Sequence, residues 1–303
     1  MKTSSINHHI VAIADYARFM KKTMRILFWG TPLLLQAHDA CAWGLYTHIF
    51  LAQWLVWGVP LLDAELRRAV LRYPKLVMAG ACLPDLALVG PFVGTRAFEH
   101  THCWHNASSM LASAQTDAER ALIVGYSSHL FADVLAHHHF VPAHERLWSD
   151  WPMLAHTVSE WAMDAHVGKH LMANPAQLLR DGEVEIVALV SRHFMLPPEQ
   201  ARRAVKMLAG ADYLLRWSRL PQFLYRSVKR FDKRVPRRFN YFISETSARF
   251  GEFNRVLAGD SPLLDANGGP VAAAQARLNQ FSRHQIKRGQ PLPEDCFYGS
   301  SVS

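Results

Sequence analysis

Histidine and carboxylate side chains recur at the spacing of metal ligands in the middle of this chain. Twelve of the seventeen histidines lie between His48 and His170. Two series place such a residue at every fourth position: His129, Asp133, His137 and His156, Glu160, Asp164. Residues four apart share one face of a helix, so each series predicts a helix with a ligand-bearing face. Imidazole nitrogens and carboxylate oxygens together suit zinc.

A structural role is the alternative for each of these histidines, because single helical histidines are usually hydrogen-bonded core residues or partly exposed ones. The surrounding segment is apolar, however, and buried polar groups must be paired or bound to a ligand. Two series within residues 129–164 therefore favour a metal site over a set of unrelated structural histidines.

The composition describes an ordered globular protein with a basic balance. A chain of 303 residues can bury a large core in one or two domains. Half of the residues are hydrophobic and 19% are charged, which excludes a disordered chain. The net charge of +8 favours anionic partners such as phospholipid surfaces, nucleic acid or phosphate esters.

The N-terminal segment has the pattern of an export signal. Basic residues up to Arg25 precede an apolar run, 26–35, that is too short to span a bilayer. The small-residue pattern ending at Ala42 follows, so we predict a signal peptide over residues 1–42 and cleavage after Ala42. The mature protein would then begin at Trp43 and be secreted or periplasmic. An uncleaved anchor or a buried helix is the alternative.

Helical periodicity dominates from Trp43 onward, and no period-2 strand pattern occurs, so the predicted class is all-α, a multi-helix bundle. We predict a helix over Asp63–Arg72 capped by Asp63, a helix over Asp117–His137, and a helix from Pro152 to about Ala173. Pro142 is predicted to end the second of these. Residues 86–106 and the tail after Gly259 are predicted to be irregular.

The chain divides by composition into residues 43–175, which hold the histidine-rich helical domain, and 176–303, a helical extension packed on that domain or continuing it. Between Arg202 and Arg238 there are twelve Lys or Arg residues and two acids, with aromatic residues interleaved. Residues 202–242 could form an amphipathic surface for peripheral contact with anionic lipid. The alternative is a helix packed on the core with a solvated basic face.

Five motifs follow one another in the order found in the zinc-dependent phospholipase C superfamily, which also includes single-strand-specific zinc nucleases. The motifs are the start Trp43–His48, the small-residue segment Ala79–Asp85, His100 and His102 before Trp104, the helix segment Gly125–Asp133, and His156–Asp164. Residues 43–170 thus resemble this family, and no single motif would be specific alone.

The resemblance implies a helical bundle that encloses a cluster of two or three zinc ions. Its implied ligands are Asp85, His100 or His102, His129 and Asp133 for one zinc; Asp133, His48 and Trp43 for a second; and His156, Glu160 and His137 or His139 for a third. Asp85 is also the implied catalytic proton acceptor. We favour His137 because it lies four residues after Asp133. Asp164 is predicted to orient a ligand histidine from outside the cluster.

The implied activity is phosphodiester hydrolysis by metal-activated water, which would convert a phospholipid into diacylglycerol and a phosphorylated headgroup. A zinc-dependent single-strand nuclease is the alternative, and nucleic acid is the less favoured substrate. The five-residue step from Trp43 to His48 resembles the nucleases, whereas Glu160 stands where they carry aspartate. A non-catalytic, membrane-associated helical protein that binds metal is a further alternative. No protein partner is inferred.

Overall fold

The computed structural model describes residues 44–148, 152–260 and 278–288, and only the backbone of 152–154. Every regular element in these ranges is helical, which confirms the predicted all-α class. The predicted signal peptide, its cleavage after Ala42 and the implied ligand Trp43 lie outside the described residues. Within the described ranges, no helix is both long enough and apolar enough to cross a membrane.

The helices are numbered here in chain order. The first part contains α1 (Leu45–Gly58), α2 (Ala64–Arg72), α3 (Pro74–Gly80), α4 (Trp104–Ala112), α5 (Asp117–Leu135), α6 (Val141–Trp148) and α7 (Pro152–Val167). The second part contains α8 (Pro175–Asp181), α9 (Glu183–His193), α10 (Pro198–Trp217), α11 (Leu220–Phe231), α12 (Val235–Arg249), α13 (Phe253–Leu257) and α14 (Arg283–Arg288). Short 3-10 turns occupy Pro84–Leu88, Pro91–Val93, Gly168–His170 and Phe250–Glu252.

Three of the local predictions can be compared directly with these elements. The side chain of Asp63 accepts a hydrogen bond of 2.8 Å from the Leu66 amide and caps α2, as predicted. The tail after Gly259 was predicted to be irregular, but it contains the helix α14. The segment 86–106 is mostly non-helical, although α4 already begins at Trp104.

Helix α5 forms the centre of the molecule. From Ala121 to Leu135 all of its side chains are buried, and α1, α2, α3 and α4 pack around it. A helix that is buried on every side belongs to the core and not to the surface of a bundle. Each fully buried aliphatic side chain contributes about 1.5–3 kcal/mol, so α5 is firmly held. Groups carried by α5 are therefore fixed in position.

Two glycines allow α3 to approach α5 closely. A Cβ atom on Gly80 would overlap the carbonyl of Leu122, and a Cβ atom on Gly125 would overlap the carbonyl of Val77. Only glycine fits where backbones pack this tightly. The contact brings the chain that follows α3, including Asp85, against the middle of α5.

A five-residue π-helical turn, Ala136–Phe140, joins α5 to α6. Pro142 was predicted to end this region, but the chain continues as helix to Trp148. A proline inside an α-helix lacks one N–H and collides with the carbonyl four residues earlier. The wider turn immediately before Pro142 relieves that collision, because π turns change the pairing of donors and carbonyls. Three consecutive histidines, 137 to 139, lie on this turn.

The helices after residue 195 pack against those that precede it. Helix α10 packs against α8, α9 and the Pro84–Leu88 turn, and α11 lies along α7. All described residues fall within one compact unit. The division of the chain at residue 175 stays a prediction.

Candidate metal centre

Four buried side chains from three segments converge beside the middle of α5. Asp85 lies in the 3-10 turn after α3, and His102 lies in the loop before α4. His129 and Asp133 lie on successive turns of α5. Because α5 is held on all sides, the two residues on it provide a rigid base for the other two.

His102 and His129 lie at ligand spacing from both Asp85 and Asp133, and each carboxylate belongs to a triad that could hold a metal ion. Five of the six separations among Asp85 Oδ1, His102 Nε2, His129 Nε2 and Asp133 Oδ2 lie between 3.0 and 4.0 Å. Zinc with bonds of about 2.0–2.1 Å holds its four ligands about 3.4 Å apart. The two imidazoles and the two carboxylates therefore suit zinc in donor type and in the five separations given.

One backbone contact and one hydroxyl contact direct the lone pairs of the two histidines into this group. His129 Nδ1 lies 2.8 Å from the carbonyl oxygen of Ala81, which can only accept, so Nδ1 carries the proton of the neutral ring. Thr101 Oγ1 donates to the Pro84 carbonyl at 2.6 Å and can accept from His102 Nδ1, 3.4 Å away. Both Nε2 atoms are then left with a lone pair, as metal-binding histidines require.

Asp133 also reaches a fifth residue, His48 on α1. His48 Nε2 lies 3.2 Å from Asp133 Oδ1, while His129 Nε2 and His102 Nε2 lie 3.0 and 3.5 Å from Oδ2. Among the described residues neither oxygen of Asp133 has a well-directed hydrogen bond. Such an arrangement is typical of ligands that point at a cation between them. The two oxygens of Asp133 therefore face two different groups of donors.

The charge states of these buried groups also suit a cation. Burial favours the neutral form of Asp133, but His129 and His48 outweigh it and hold its pKa well below the usual range. Burial, reinforced by His129, lowers the pKa of His102 to about 3. Asp133 is therefore ionised and His102 neutral at pH 7, which are the forms that bind metals.

A second group lies where the π turn faces α7. The His156 Nε2 atom is 2.7 Å from Glu160 Oε1, and the ring centres of His137 and His156 are 6.0 Å apart. Burial lowers the pKa of His137 to about 3 and raises the pKa of Glu160 to about 7. Glu145 Oε1 lies 3.8 Å from His156 Nδ1. Sequence reasoning missed Glu145, since its place on α6 depends on the π turn.

The structure shows where the alternative ligands lie, His100 or His102 and His137 or His139. His102 lies in the buried group, whereas His100 is exposed on the loop and does not join it. His137 has the ring contact with His156, and His139 is buried on the same turn. The ligand assignments themselves stay predictions.

Asp164, predicted to orient a ligand histidine, instead caps the first turn of α1. It accepts hydrogen bonds from the Thr47 amide at 2.9 Å and the Thr47 hydroxyl at 2.8 Å, and a longer one of 3.4 Å from the Tyr46 amide. A Cβ atom on Gly44 would overlap this carboxylate. The first amides of a helix lack partners within the helix and attract negative charge. Asp164 therefore fixes the turn that carries His48.

Arg216 of α10 completes this contact from outside the histidine-rich region. Its Nη2 donates to Asp164, its Nε donates to Asp212 Oδ1 at 3.0 Å, and its guanidinium lies 3.9 Å from the centre of the Tyr46 ring. Burial favours the neutral form of Arg216, but Asp164 and Asp212 outweigh it and raise its pKa. Nothing in the local sequence around Arg216 indicates this role.

These observations define a helical protein with a buried centre of histidines and carboxylates suited to zinc. The family model described as zinc-dependent phospholipase C matches residues 47–195. This match over residues 47–195 confirms the resemblance to the zinc-dependent phospholipase C family. Arg216 and all of α10 lie beyond the match. No curated protein and no solved structure matches the chain significantly.

Proposed function

We propose that the protein is a zinc-dependent phosphodiester hydrolase of the phospholipase C type, which releases diacylglycerol and a phosphorylated headgroup from a phospholipid. The convergence of Asp85, His102, His129 and Asp133 carries this proposal. Its donor types suit zinc, and the match of residues 47–195 to the family model supports hydrolysis of a phosphodiester.

The residues of the chain would share the work as follows. Zinc, when bound, supplies electrophilic stabilisation of the phosphate charge and activation of water. Asp133, His102 and His129 would hold the cation, and the Thr101 hydroxyl beside His102 and the Ala81 carbonyl beside His129 would keep the ring lone pairs directed at it. We assign Asp85 as the proton acceptor, because its distances of 3.9 and 4.0 Å to His102 and His129 are longer than those of Asp133, 3.5 and 3.0 Å, to the same two histidines.

Substitution of one ligand tests the assignment. In His129→Ala we expect hydrolysis of phosphatidylcholine to be lost and the zinc content per chain to fall. His100→Ala is the matched control, because this histidine is exposed and lies outside the group. It should keep wild-type activity and zinc. Full activity in His129→Ala, or less than one zinc per chain of wild-type protein, would contradict the proposal.

A single-strand nuclease is the second candidate, favoured by the exposed basic and aromatic residues of α11. Such surfaces suit single-stranded nucleic acid as well as lipid. Parallel assays of the zinc-loaded protein on phosphatidylcholine vesicles and on single-stranded DNA separate the two. Cleavage of DNA without hydrolysis of lipid would replace the first candidate with the second.

We also propose that residues 1–42 are removed during export to the periplasm or the medium, and that the new α-amine of Trp43 joins His48 and Asp133. An α-amino group titrates near pH 8 and can bind metal once deprotonated. The position of His48 on the first turn of α1, 3.2 Å from Asp133, supports this. The intact mass of the exported protein should correspond to a start at Trp43. A mass that includes residues before Trp43 would rule the cleavage site out.

A further inference from the structure

Helix α11 and its flanking residues present aromatic rings and cations together at the surface. The side chains of Trp217, Phe223 and Phe231 are 61%, 64% and 89% exposed. Seven cations of the same stretch are also exposed: Arg219, Arg226, Lys229, Arg230, Lys233, Arg234 and Arg237. These ten residues are called the basic aromatic face below.

The acids of this stretch do not neutralise the face, because both are turned toward other partners. Asp212 is buried and pairs with Arg216 at 3.0 Å. Asp232 Oδ2 accepts from buried Arg238 at 3.0 Å, and Asp232 Oδ1 accepts from the Arg234 amide at 3.1 Å. In the part of the chain that the structure describes, none of the seven exposed cations forms an ion pair. Their charges are therefore all directed to the solvent.

The inner side of α11 packs against the rest of the protein, so the exposed aromatic residues on its outer side are not part of that packing. Pro221 is buried, and the Tyr225 hydroxyl lies 2.9 Å from His166 Nδ1 on α7. Phe223 belongs to the opposite side, because Arg226 and Arg230 follow it at three and seven residues. The helix thus uses one side for packing and keeps a phenyl ring between cations on the other. Helix α7, which it covers, carries His156 and Glu160.

We propose that the basic aromatic face docks the protein on an anionic phospholipid surface. Cations near an anionic membrane surface contribute about 1 kcal/mol each, which is about fivefold in binding per residue. Aromatic rings on such a face enter the boundary between headgroups and acyl chains. The choice of phospholipid among polyanions rests on the proposed function, whereas the docking itself needs no hydrolysis.

Vesicle co-sedimentation of the full zinc-loaded chain tests the docking. We expect at least tenfold tighter binding to vesicles of phosphatidylcholine with phosphatidylserine than to phosphatidylcholine alone, and loss of the difference at high salt. Arg230→Gln/Phe231→Ser should weaken binding to the anionic vesicles more than fivefold. The matched control is Arg180→Gln/Val184→Ser, which removes one exposed cation and one side chain that is 78% exposed on α8 and α9. The control should bind like wild type.

A second measurement separates this inference from the proposed function. Hydrolysis of a water-soluble short-chain phosphodiester needs the metal centre but no membrane, so both double variants should retain it. Vesicle binding through this face without any phosphodiesterase activity would refute the proposed function alone. Activity without a preference for anionic vesicles, or equal binding by the two double variants, would overturn the docking. So would tighter binding of single-stranded DNA than of vesicles through the same residues.

Discussion

Replacing Asp164 by asparagine removes a buried negative charge from the start of α1 without changing the size of the side chain. Asparagine keeps one oxygen that can accept from the Thr47 amide and hydroxyl. Its amide nitrogen would face Arg216, however, where both groups can only donate. Asp164→Asn should therefore leave Arg216 with only one of its two carboxylate partners, Asp212.

The expected cost follows from the contacts that are lost. Removing one partner of a buried ion pair costs about 3–5 kcal/mol, because the other charge stays buried. Arg216 keeps its contact with Asp212 at 3.0 Å, so we expect the lower end, about 3 kcal/mol. Folded domains are stable by about 5–15 kcal/mol, so this is a large fraction. With a denaturant slope of about 3 kcal/mol per molar, the urea midpoint should fall by about 1 M.

Urea unfolding followed by circular dichroism, together with zinc content after dialysis, checks this expectation. Zinc retention should fall as well, since His48 directly follows Thr47 on the turn that Asp164 fixes. Asp181→Asn is the control, because Asp181 makes only an exposed ion pair with Lys75 at 3.5 Å. Loss of such a pair costs less than about 1 kcal/mol.

Two outcomes would refute the reasoning. One is an Asp164→Asn protein whose free energy of unfolding lies within about 0.5 kcal/mol of wild type and whose zinc content is unchanged. The other is additivity in the cycle of Asp164→Asn and Arg216→Met. Residues in one buried network should show a coupling of at least about 0.5 kcal/mol.

Two other predictions concern Gly44 and His144. Gly44→Ala should lower the melting temperature, because its Cβ would overlap Asp164, whereas Gly210→Ala in the open interior of α10 should raise it slightly; the same sign for both would contradict this. Burial, with Arg238 beside it, lowers the pKa of His144 well below the usual range, so only the unfolded chain binds a proton there below about pH 6.5. The contribution of this site to the free energy of unfolding should be complete above that pH and fall by about 1.4 kcal/mol for each pH unit below it. In His144→Gln, urea unfolding at pH 7 and 5.5 should show a smaller loss, and an equal loss would contradict the assignment.

Sequence spacing was sufficient to predict proximity where two candidate ligands lie on one helix. His129 and Asp133 are four residues apart on α5, and their nitrogen and oxygen lie 3.0 Å apart as that spacing predicts. The same rule failed for Asp164. It follows His156 by eight residues, which is about 80° of rotation and about 12 Å of rise, so it points at a different neighbour.

The partners of Asp164 could not be predicted from the sequence, because they are distant along the chain. Thr47 and Arg216 are separated from it by 117 and 52 residues. An arginine within a basic segment is usually predicted to be exposed to solvent. Only the packing of α10 reveals that the side chain of Arg216 is turned inward. The helical class, in contrast, follows from apolar periodicity within each segment and needs no long-range information.

The π-helical turn between α5 and α6 has a consequence for how the two groups of candidate ligands relate to each other. One extra residue in a helical turn rotates everything downstream by about 100° relative to an unbroken helix. The continuous helical stretch that ends at Trp148 therefore consists of two segments, α5 and α6, that are rotated relative to each other about the helix axis. The first presents His129 and Asp133, and the second presents Glu145. Gaining or losing a single residue at 136–140 would turn the second set while leaving the first untouched. The turn therefore lets the two sets of candidate ligands be aimed independently of each other.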